Sequence, residues 1–180
     1  MLEDKLLIWK LKRGNSDALR LLYEKYKDRL RTIAGSMLHD TQAAEDILHD
    51  VFVSFAENAR WFQIRTSVKS YLTACVINRV RDEFRRRQSR TIELDKVGPI
   101  SSDSNRPDSR AEACEKSQVL TEALAAIPFE QREVIVLHLK GGLKFRQIAK
   151  VQHASISTVH GRYKYGLKKL RTILDGELEK

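Results

Sequence analysis

The stretch that decides the fold is Gly141-Gly142-Leu143-Lys144-Phe145-Arg146-Gln147-Ile148-Ala149-Lys150, together with the residues that follow it to Arg171. It predicts a short helix with one apolar face, a tight turn, and a longer helix for which Ser155 or Ser157 supplies the N-cap. The longer helix repeats its inward residues at spacings of three and four: Val159, Tyr163, Gly166, Leu167 and Leu170. Two helices joined by a sharp turn form a helix-turn-helix.

The other face of the longer helix is strongly basic. Between Arg162 and Arg171 there is no acidic residue, and the cationic residues are Arg162, Lys164, Lys168, Lys169 and Arg171. A basic helix entered by a sharp turn suits the major groove of duplex DNA, where it meets phosphates and base edges. A solvated surface helix is the alternative, and the turn with its preceding helix favours DNA.

Composition limits the class of protein. The chain has 180 residues, 42% of them hydrophobic, with a net charge of +9 and a pI of about 9.7. These values predict one domain or two small ones and a polyanionic partner. The longest apolar run, Ala123 to Ile127, is far shorter than the roughly 20 residues of a membrane span. The first residues lack the apolar core of a signal peptide, so we expect a cytoplasmic protein with no membrane insertion.

The sequence contains no recognisable catalytic or metal site. Cys75 and Cys114 stand far apart, and the five histidines show no paired ligand spacing. There is no glycine-rich phosphate loop and no Gly-x-Ser-x-Gly elbow. We therefore expect no enzymatic activity, no cofactor and no metal.

Helical periodicity dominates the first half of the chain. One amphipathic helix is predicted to begin at Asn15 or Ser16, a second at Asp40 or Thr41, and a third to run from about Ser67 to Arg87. With a further short helix over Met1–Arg13, they can enclose one core. Residues 1–90 are therefore predicted to form an all-helical module.

A change in composition separates this module from the rest. Residues 98–109 are rich in turn formers and poor in apolar side chains, which predicts a flexible linker over residues 91–112. Helices over Glu112–Ala126 and Glu130–Lys140 follow, although the β-branched run Val134–Leu137 also fits a buried strand; the helical neighbours favour a helix. The prediction is an all-α protein of two small helical modules, 1–90 and 113–180, joined by a flexible linker.

The second helix is unusual because it is acidic. From His39 to Glu57 it contains five carboxylates and no lysine or arginine, and Asp46, Asp50 and Glu57 share the face opposite the apolar one. Such a face repels DNA and suits docking on a basic protein surface. A solvated helix exterior is the alternative.

The third helix ends with the opposite charge. Six arginines against Asp82 and Glu83 give +4 over residues 79–90, and Arg60-Trp61-Phe62-Gln63-Ile64-Arg65 precedes the helix. Aromatic rings beside cations suit single-stranded nucleic acid, since bases stack on the rings and phosphates meet the charges. Trp61 and Phe62 can equally be core residues. Asn78 carries a donor and an acceptor and can read a base edge.

These features together resemble a known family. Ala44-Glu45-Asp46-Ile47-Leu48-His49-Asp50-Val51-Phe52 is similar to the pattern Asp/Ala-Glu-Asp-Leu-x-Gln-Glu-x-Phe of bacterial sigma factors of the extracytoplasmic-function group, the smallest members of the sigma-70 family. The resemblance implies that Asp46, His49 and Asp50 bind the coiled-coil clamp of RNA polymerase, with His49 in place of the usual glutamine.

The next helix continues the resemblance. Tyr71 to Arg85 is similar to Trp-Leu-x-x-Ile-Ala-x-Asn-x-x-x-Asp-x-x-Arg. The resemblance implies that residues 1–90 correspond to sigma region 2, that Asn78 recognises a flipped base of the minus-ten element, and that the loop around Trp61 holds the strands apart. The full set expected to contact the minus-ten element and the melted strand is Trp61, Phe62, Asn78, Arg81 and Arg85.

The last module is similar to sigma region 4. Ile127-Pro128-Phe129-Glu130-Gln131-Arg132-Glu133-Val134, Gln147-Ile148-Ala149 and Ser155-Ile156-Ser157-Thr158-Val159-His160-Gly161-Arg162 match three family motifs in order. The residues that the resemblance directs to the minus-thirty-five element are Ser157, Thr158, His160, Gly161, Arg162, Lys164, Tyr165 and Lys168. In the turn, Gln152-His153-Ala154 replaces the family's Leu-Gly-Ile, which places a histidine where a positive φ is expected.

The sequence thus predicts a promoter-specificity factor that binds core RNA polymerase and promoter DNA and performs no chemistry itself. The resemblance also suggests an inhibitory anti-sigma partner, which no feature of the sequence identifies. One alternative is a self-sufficient helix-turn-helix regulator that binds duplex DNA without polymerase. Another is a protein-binding adaptor that uses its basic helix only for nonspecific attraction.

Overall fold

The computed structural model describes residues 2–59, 67–94 and 119–178, and these residues form helices joined by short turns. The helices are α1 (Leu2–Lys12), α2 (Ser16–Leu38), α3 (Thr41–Glu57), α4 (Val68–Leu94), α5 (described over 119–125), α6 (Phe129–Leu139), α7 (Phe145–Val151) and α8 (Ile156–Leu178). The all-α prediction is confirmed. Most of the predicted linker lies outside the described residues, but its first part, 91–94, is helical and belongs to α4.

Side-chain caps set the starts of four helices. In each, an oxygen accepts a hydrogen bond from the backbone N–H three residues later, at 3.0 to 3.2 Å, and the capping residues are Asn15, Asp40, Ser67 and Ser155. Each of the four lies where the sequence predicts the start of a helix, and Ser155 was also predicted as a cap. The run Val134–Leu137 is helical as part of α6, which settles the choice between helix and strand.

The N-terminal core forms around α2. This helix contacts α1, α3 and α4, and its apolar face is fully buried at Leu22, Leu30 and Ile33. Asp4 of α1 accepts a hydrogen bond from the Tyr26 hydroxyl at 2.9 Å. The result is a four-helix unit that presents the outer faces of α3 and α4 to its surroundings.

The C-terminal helices pack around α6, with α8 crossing it closely at Gly166. A β-carbon added there would lie 3.0 Å from Cδ1 of Ile135 and 3.1 Å from Cβ of Gln131. Glycine therefore permits the close approach of α6 and α8. Beside this crossing, Ile135 of α6 and Leu170 of α8 join a small second cluster with α5.

The two predicted modules share one core, which the sequence analysis did not predict. Helix α6 contacts α2, and the main cluster contains Val134, Val136 and Leu137 together with residues of α2 and α4. The Arg132 guanidinium donates to the Met37 carbonyl at 2.8 Å, at the C-terminal end of α2. Every residue from Arg132 to Leu137 is buried, so α6 needs neighbours on several sides. Helices α2 and α4 supply some of these neighbours, and for this reason the two modules share a core.

Candidate functional surfaces

The acidic face of α3 is open to solvent. Asp46, His49 and Asp50 are all exposed on it. Asp46 Oδ1 accepts a hydrogen bond from Gln42 Nε2 at 3.3 Å, and Asp50 lies 3.9 Å from the Arg79 guanidinium. Both contacts join exposed groups, and such contacts contribute little to stability. The carboxylates therefore remain available to a basic partner.

A shallow cleft extends this acidic face onto α4. It has a volume of about 270 Å³ and lies between α3 and α4, with Asp46, Asp50 and Asp82 among its lining residues. Asp82 was not assigned to this face from the sequence. The available signal was the spacing of three between Arg79 and Asp82, which places both on one face of α4. In the structure Arg79 meets Asp50.

The first turns of α8 present a continuous polar stripe. Ser157, Gly161, Lys164 and Lys168 follow each other at spacings of four, three and four, which places them along one side of the helix. A β-carbon added at Gly161 would meet no atom within 4 Å. The fold therefore does not require a glycine at this position. The missing side chain would instead let a binding partner come close to the helix backbone.

The remaining residues of the minus-thirty-five set flank this stripe. Thr158, His160 and Tyr165 are exposed, and the His160 ring lies 4.3 Å from that of Phe145. Arg162 is different, since its Nη1 donates to Gln152 Oε1 at 2.8 Å and holds the guanidinium against the turn. Seven of the eight residues thus lie on or beside an accessible surface, while Arg162 supports the turn.

The turn between α7 and α8 keeps its regular geometry despite the missing glycine. His153 has a φ of 50°, the positive angle expected at that position. The next residue, Ala154, donates its N–H to the Ala149 carbonyl at 3.0 Å and closes the turn. Histidine adopts this conformation at a cost of about 1 kcal/mol or more relative to glycine.

The predicted minus-ten set is divided between different environments. Trp61 and Phe62 lie outside the described residues. Asn78, Arg81 and Arg85 share one stripe of α4, because their spacings are three and four. Arg85 is exposed, Asn78 lies beside α7, and Arg81 points into the contact with α6.

Arg81 is fully occupied in this arrangement. Its guanidinium contacts the Glu133 carboxylate at 2.5 Å and 3.3 Å and donates to the Val151 carbonyl at 2.9 Å. The Glu133 side chain is only 1% exposed, and this burial raises its pKa although the Arg81 charge acts in the opposite direction. The pair therefore ties α4 to the helix-turn-helix module and covers part of the predicted minus-ten surface.

A second polar contact between the modules involves His39 and Arg132. His39 ends α2 with a φ of 56°, and its Nε2 lies 2.9 Å from Nη1 of Arg132. Burial, together with the Arg132 charge, lowers the pKa of His39 to about 4, so the ring is neutral and accepts this hydrogen bond. Sequence reasoning missed this pair; the signal was the presence of two charged residues, Arg132 and Glu133, directly before the apolar run Val134–Leu137.

The described segments lack two further kinds of feature. None of their helices has the length and apolar character needed to cross a bilayer. No group of three or more His, Cys, Asp or Glu side chains in the same segments is arranged to hold a metal ion.

Comparisons with known proteins match both ends of the chain. The family model of Sigma-70 region 2 matches residues 22–90, and that of Sigma-70, region 4, matches residues 117–170, so together they span more than half of the chain. The ECF RNA polymerase sigma factor SigW of Bacillus subtilis is 25% identical over 173 residues, which cover 91% of this chain and 92% of that protein. SigX of the same organism is 28% identical, over 86% of this chain and 82% of that protein.

Solved structures agree at the level of the fold. The sigma factor RpoE from Bartonella quintana, in complex with the anti-sigma factor NepR, superposes with a TM-score of 0.70 at 21% identity, over 87% of this chain and 96% of that one. CnrH, in complex with the cytosolic domain of CnrY, gives a TM-score of 0.71 at 24% identity, over 97% and 98%. With its two family regions in order, its sequence relatives and this fold, the chain belongs to the sigma-70 family of RNA polymerase sigma factors, in the extracytoplasmic-function group.

Proposed function

We propose that this sigma factor binds core RNA polymerase through the acidic face of α3 and directs it to promoters with two DNA-contacting surfaces. In this proposal residues 1–90 serve polymerase binding and the minus-ten element, and residues 113–180 serve the minus-thirty-five element. The observation that carries the proposal is the separation of charge: exposed carboxylates on α3, and an exposed cationic stripe on α8. One surface suits a basic protein and the other a polyanion.

The polymerase contact is assigned to Asp46, His49 and Asp50, with Asp82 at the edge of the same cleft. These carboxylates are hydrated in the free protein. When a basic partner replaces the water around them, few contacts within the protein are lost. Complementary charge accelerates association and orients the partner more than it adds affinity. The acidic face therefore selects the docking site on a much larger assembly.

The duplex contact is assigned to the stripe Ser157, Gly161, Lys164 and Lys168, with Thr158, His160 and Tyr165 beside it. The lysines meet phosphates, and the small residues let the helix approach the base edges. Arg162 keeps the turn in place through Gln152 and so positions α8.

The melted-strand contact is assigned to Trp61, Phe62, Asn78, Arg81 and Arg85. Because Arg81 is bonded to Glu133 and Val151 in the structure, this function requires α4 and α6 to separate at least locally. The proposal therefore includes an open arrangement of the modules on polymerase.

The test is the binding of labelled full-length protein to core RNA polymerase that lacks any sigma factor. The variant Asp46→Arg with Asp50→Arg should lose binding by roughly a hundredfold or more, because two contacts become repulsive. The matched control is Asp17→Arg with Asp28→Arg, which makes the same change of charge on exposed positions of α2 and should bind like the wild type.

Two results would contradict the proposal. One is unchanged binding by the α3 variant. The other is absence of polymerase binding together with tight, sequence-specific duplex binding by the protein alone, the behaviour of a conventional helix-turn-helix regulator. Competition by a housekeeping sigma factor for the bound protein is the expected result.

An inhibitory protein partner is a further part of the proposal. RpoE was solved with the anti-sigma factor NepR bound and CnrH with the cytosolic domain of CnrY, and both share the fold of this chain. Core polymerase and an anti-sigma factor should exclude each other if they use overlapping surfaces.

A further inference from the structure

A cleft between α4 and α7 has no role in the contacts assigned above, apart from Asn78 at its edge. Its volume is about 430 Å³, within the range of pockets that hold small organic ligands. Tyr71 and Ala74 of α4 form one wall, and Leu143 and Val151 from the helix-turn-helix module form the other. The cleft therefore exists only while the two modules are packed together.

The charge around this apolar cleft is entirely positive. Lys144, Arg146 and Lys150 lie at its rim, and no aspartate or glutamate is among its lining residues. All three cations are exposed, and none forms an ion pair with another residue of the described segments.

Hydrogen-bonding groups complete the lining. Within the described part of the chain, the side-chain amide of Asn78 is exposed and has no hydrogen-bond partner. Gln147 spans the cleft and donates to the Ser70 hydroxyl at 2.9 Å, which fixes the distance between the walls. The strained His153 also borders the cleft.

DNA phosphates alone do not account for these features. The first helix of a helix-turn-helix crosses the DNA backbone, so cations on α7 can meet phosphates. A duplex has no apolar group to fill the space beneath those cations, however, and α4 closes the other side. An apolar space surrounded by unpaired cations matches a ligand that has both an apolar body and a negative charge.

We propose that this cleft binds a small amphiphilic anion, such as a medium-chain carboxylate, with the chain against Tyr71, Ala74 and Leu143 and the charged end at Lys144 and Lys150. Because both modules supply the walls, such a ligand binds the packed arrangement and shifts the population toward it. The ligand also covers Asn78, so it links a small molecule to the surface assigned to the minus-ten element.

The experiment titrates the full chain with decanoate, below its micelle concentration, by isothermal calorimetry. We expect saturable one-to-one binding with a dissociation constant below about 1 mM. Decanol, which keeps the chain without the charge, and acetate, which keeps the charge without the chain, should each bind at least roughly tenfold more weakly. Decanoate should also raise the unfolding temperature.

Variants separate the charge from the shape of the cleft. Lys144→Glu with Lys150→Glu should weaken decanoate binding by roughly tenfold or more, since attraction becomes repulsion. The matched control is Lys10→Glu with Lys12→Glu on the exposed side of α1, which should change binding by less than about twofold. Ala74→Phe fills the cleft without changing charge and should abolish binding, with circular dichroism checking its fold.

Three outcomes would overturn the inference: no saturation by the wild type, decanol binding as tightly as decanoate, or equal losses in the α7 pair and the α1 control pair. None of these outcomes bears on polymerase binding through α3. Failure of this inference is therefore distinguishable from failure of the proposed function.

Discussion

His39 combines an uncommon backbone conformation with a buried ring. Its φ of 56° ends α2, and its N–H donates to the Gly35 carbonyl at 2.9 Å. The ring accepts a hydrogen bond from Arg132 through Nε2, while Nδ1 is buried without a partner among the described residues. A neutral ring is required, because a proton on Nε2 would face the Arg132 charge directly.

This requirement predicts a dependence of stability on pH. The pKa of His39 is about 4 in the folded state and 6.5 in the unfolded state. The unfolded chain therefore binds a proton between these values while the folded chain does not, so stability falls as the pH drops from about 6.5 toward 4. From pH 7 to pH 5 the contribution is about 1 kcal/mol, allowing for solvent around a half-buried ring.

The substitution His39→Asn isolates this contribution. Asparagine tolerates the left-handed conformation and does not titrate in this range. Its side chain is too short to replace Nε2 as the acceptor for Arg132, so the change in stability between the two pH values is compared rather than the stability itself. In urea unfolding at pH 7 and pH 5, the variant should lose about 1 kcal/mol less than the wild type. Equal losses would show that other groups cause the acid sensitivity, and the exposed His49 supplies the control substitution.

At the scale of helices, the crossing of α6 and α8 depends on one glycine. Gly166→Ala should destabilise the protein by about 1 kcal/mol, because the clash with Ile135 and Gln131 outweighs the gain in helix propensity. Gly161→Ala makes the same change in the same helix where no atom lies within 4 Å, and it should stabilise by up to about 1 kcal/mol. Urea midpoints of both variants, measured together, check the opposite signs.

If Gly166→Ala proves as stable as the wild type, then α8 moves away from α6 at little cost. The shared core would in that case adapt more readily than close packing suggests.

The cationic stripe of α8 carries a prediction about salt. Removal of one phosphate contact lowers the slope of log affinity against log salt by about one unit, equally for all sequences. Lys164→Ala or Lys168→Ala should therefore weaken duplex binding and flatten its salt dependence. Lys12→Ala, exposed on α1, should leave the slope unchanged. An unaltered slope in either α8 variant removes that lysine from the phosphate contacts.

The starts of the helices and their buried faces could largely be predicted from the sequence, because the signals for a helix are local. The caps at Asn15 and Asp40 and the apolar period of α2 depend on residues within one or two turns. The positive φ of His153 was likewise predictable from the resemblance, since the family's turn pattern has a glycine at that position. Whether the cations of α7 or α8 touch DNA is not a local property, and those assignments stay predictions.

The packing of the modules was not predictable in the same way. It rests on Arg132 reaching the end of α2 and on Glu133 meeting Arg81, residues far apart in sequence. Both charged side chains look like surface residues in a periodicity argument. Only their place before a wholly apolar run hinted that α6 is buried on several sides.

For the whole molecule, the Arg81–Glu133 pair is a charged contact that joins the two modules. It joins a carboxylate that is 1% exposed to a guanidinium that is 17% exposed. Removing one partner of such a pair leaves the other charge poorly solvated. The same pair occupies an arginine that the melted strand is proposed to need, so stability and DNA binding should change in opposite directions.

Glu133→Gln tests this coupling in the full chain. It should lower the free energy of unfolding by about 2–3 kcal/mol, because the amide keeps a hydrogen bond but not the charge. Freed from its partner, Arg81 should bind a labelled single-stranded oligonucleotide roughly three- to tenfold more tightly in fluorescence anisotropy, as the competent state becomes more populated. Asp82→Asn removes a carboxylate 3.6 Å from Arg85 in an exposed pair, and it should change stability by less than about 0.5 kcal/mol. A destabilised Glu133→Gln protein with unchanged affinity for the single strand would mean that the packing of α6 on α4 does not restrain Arg81 from DNA.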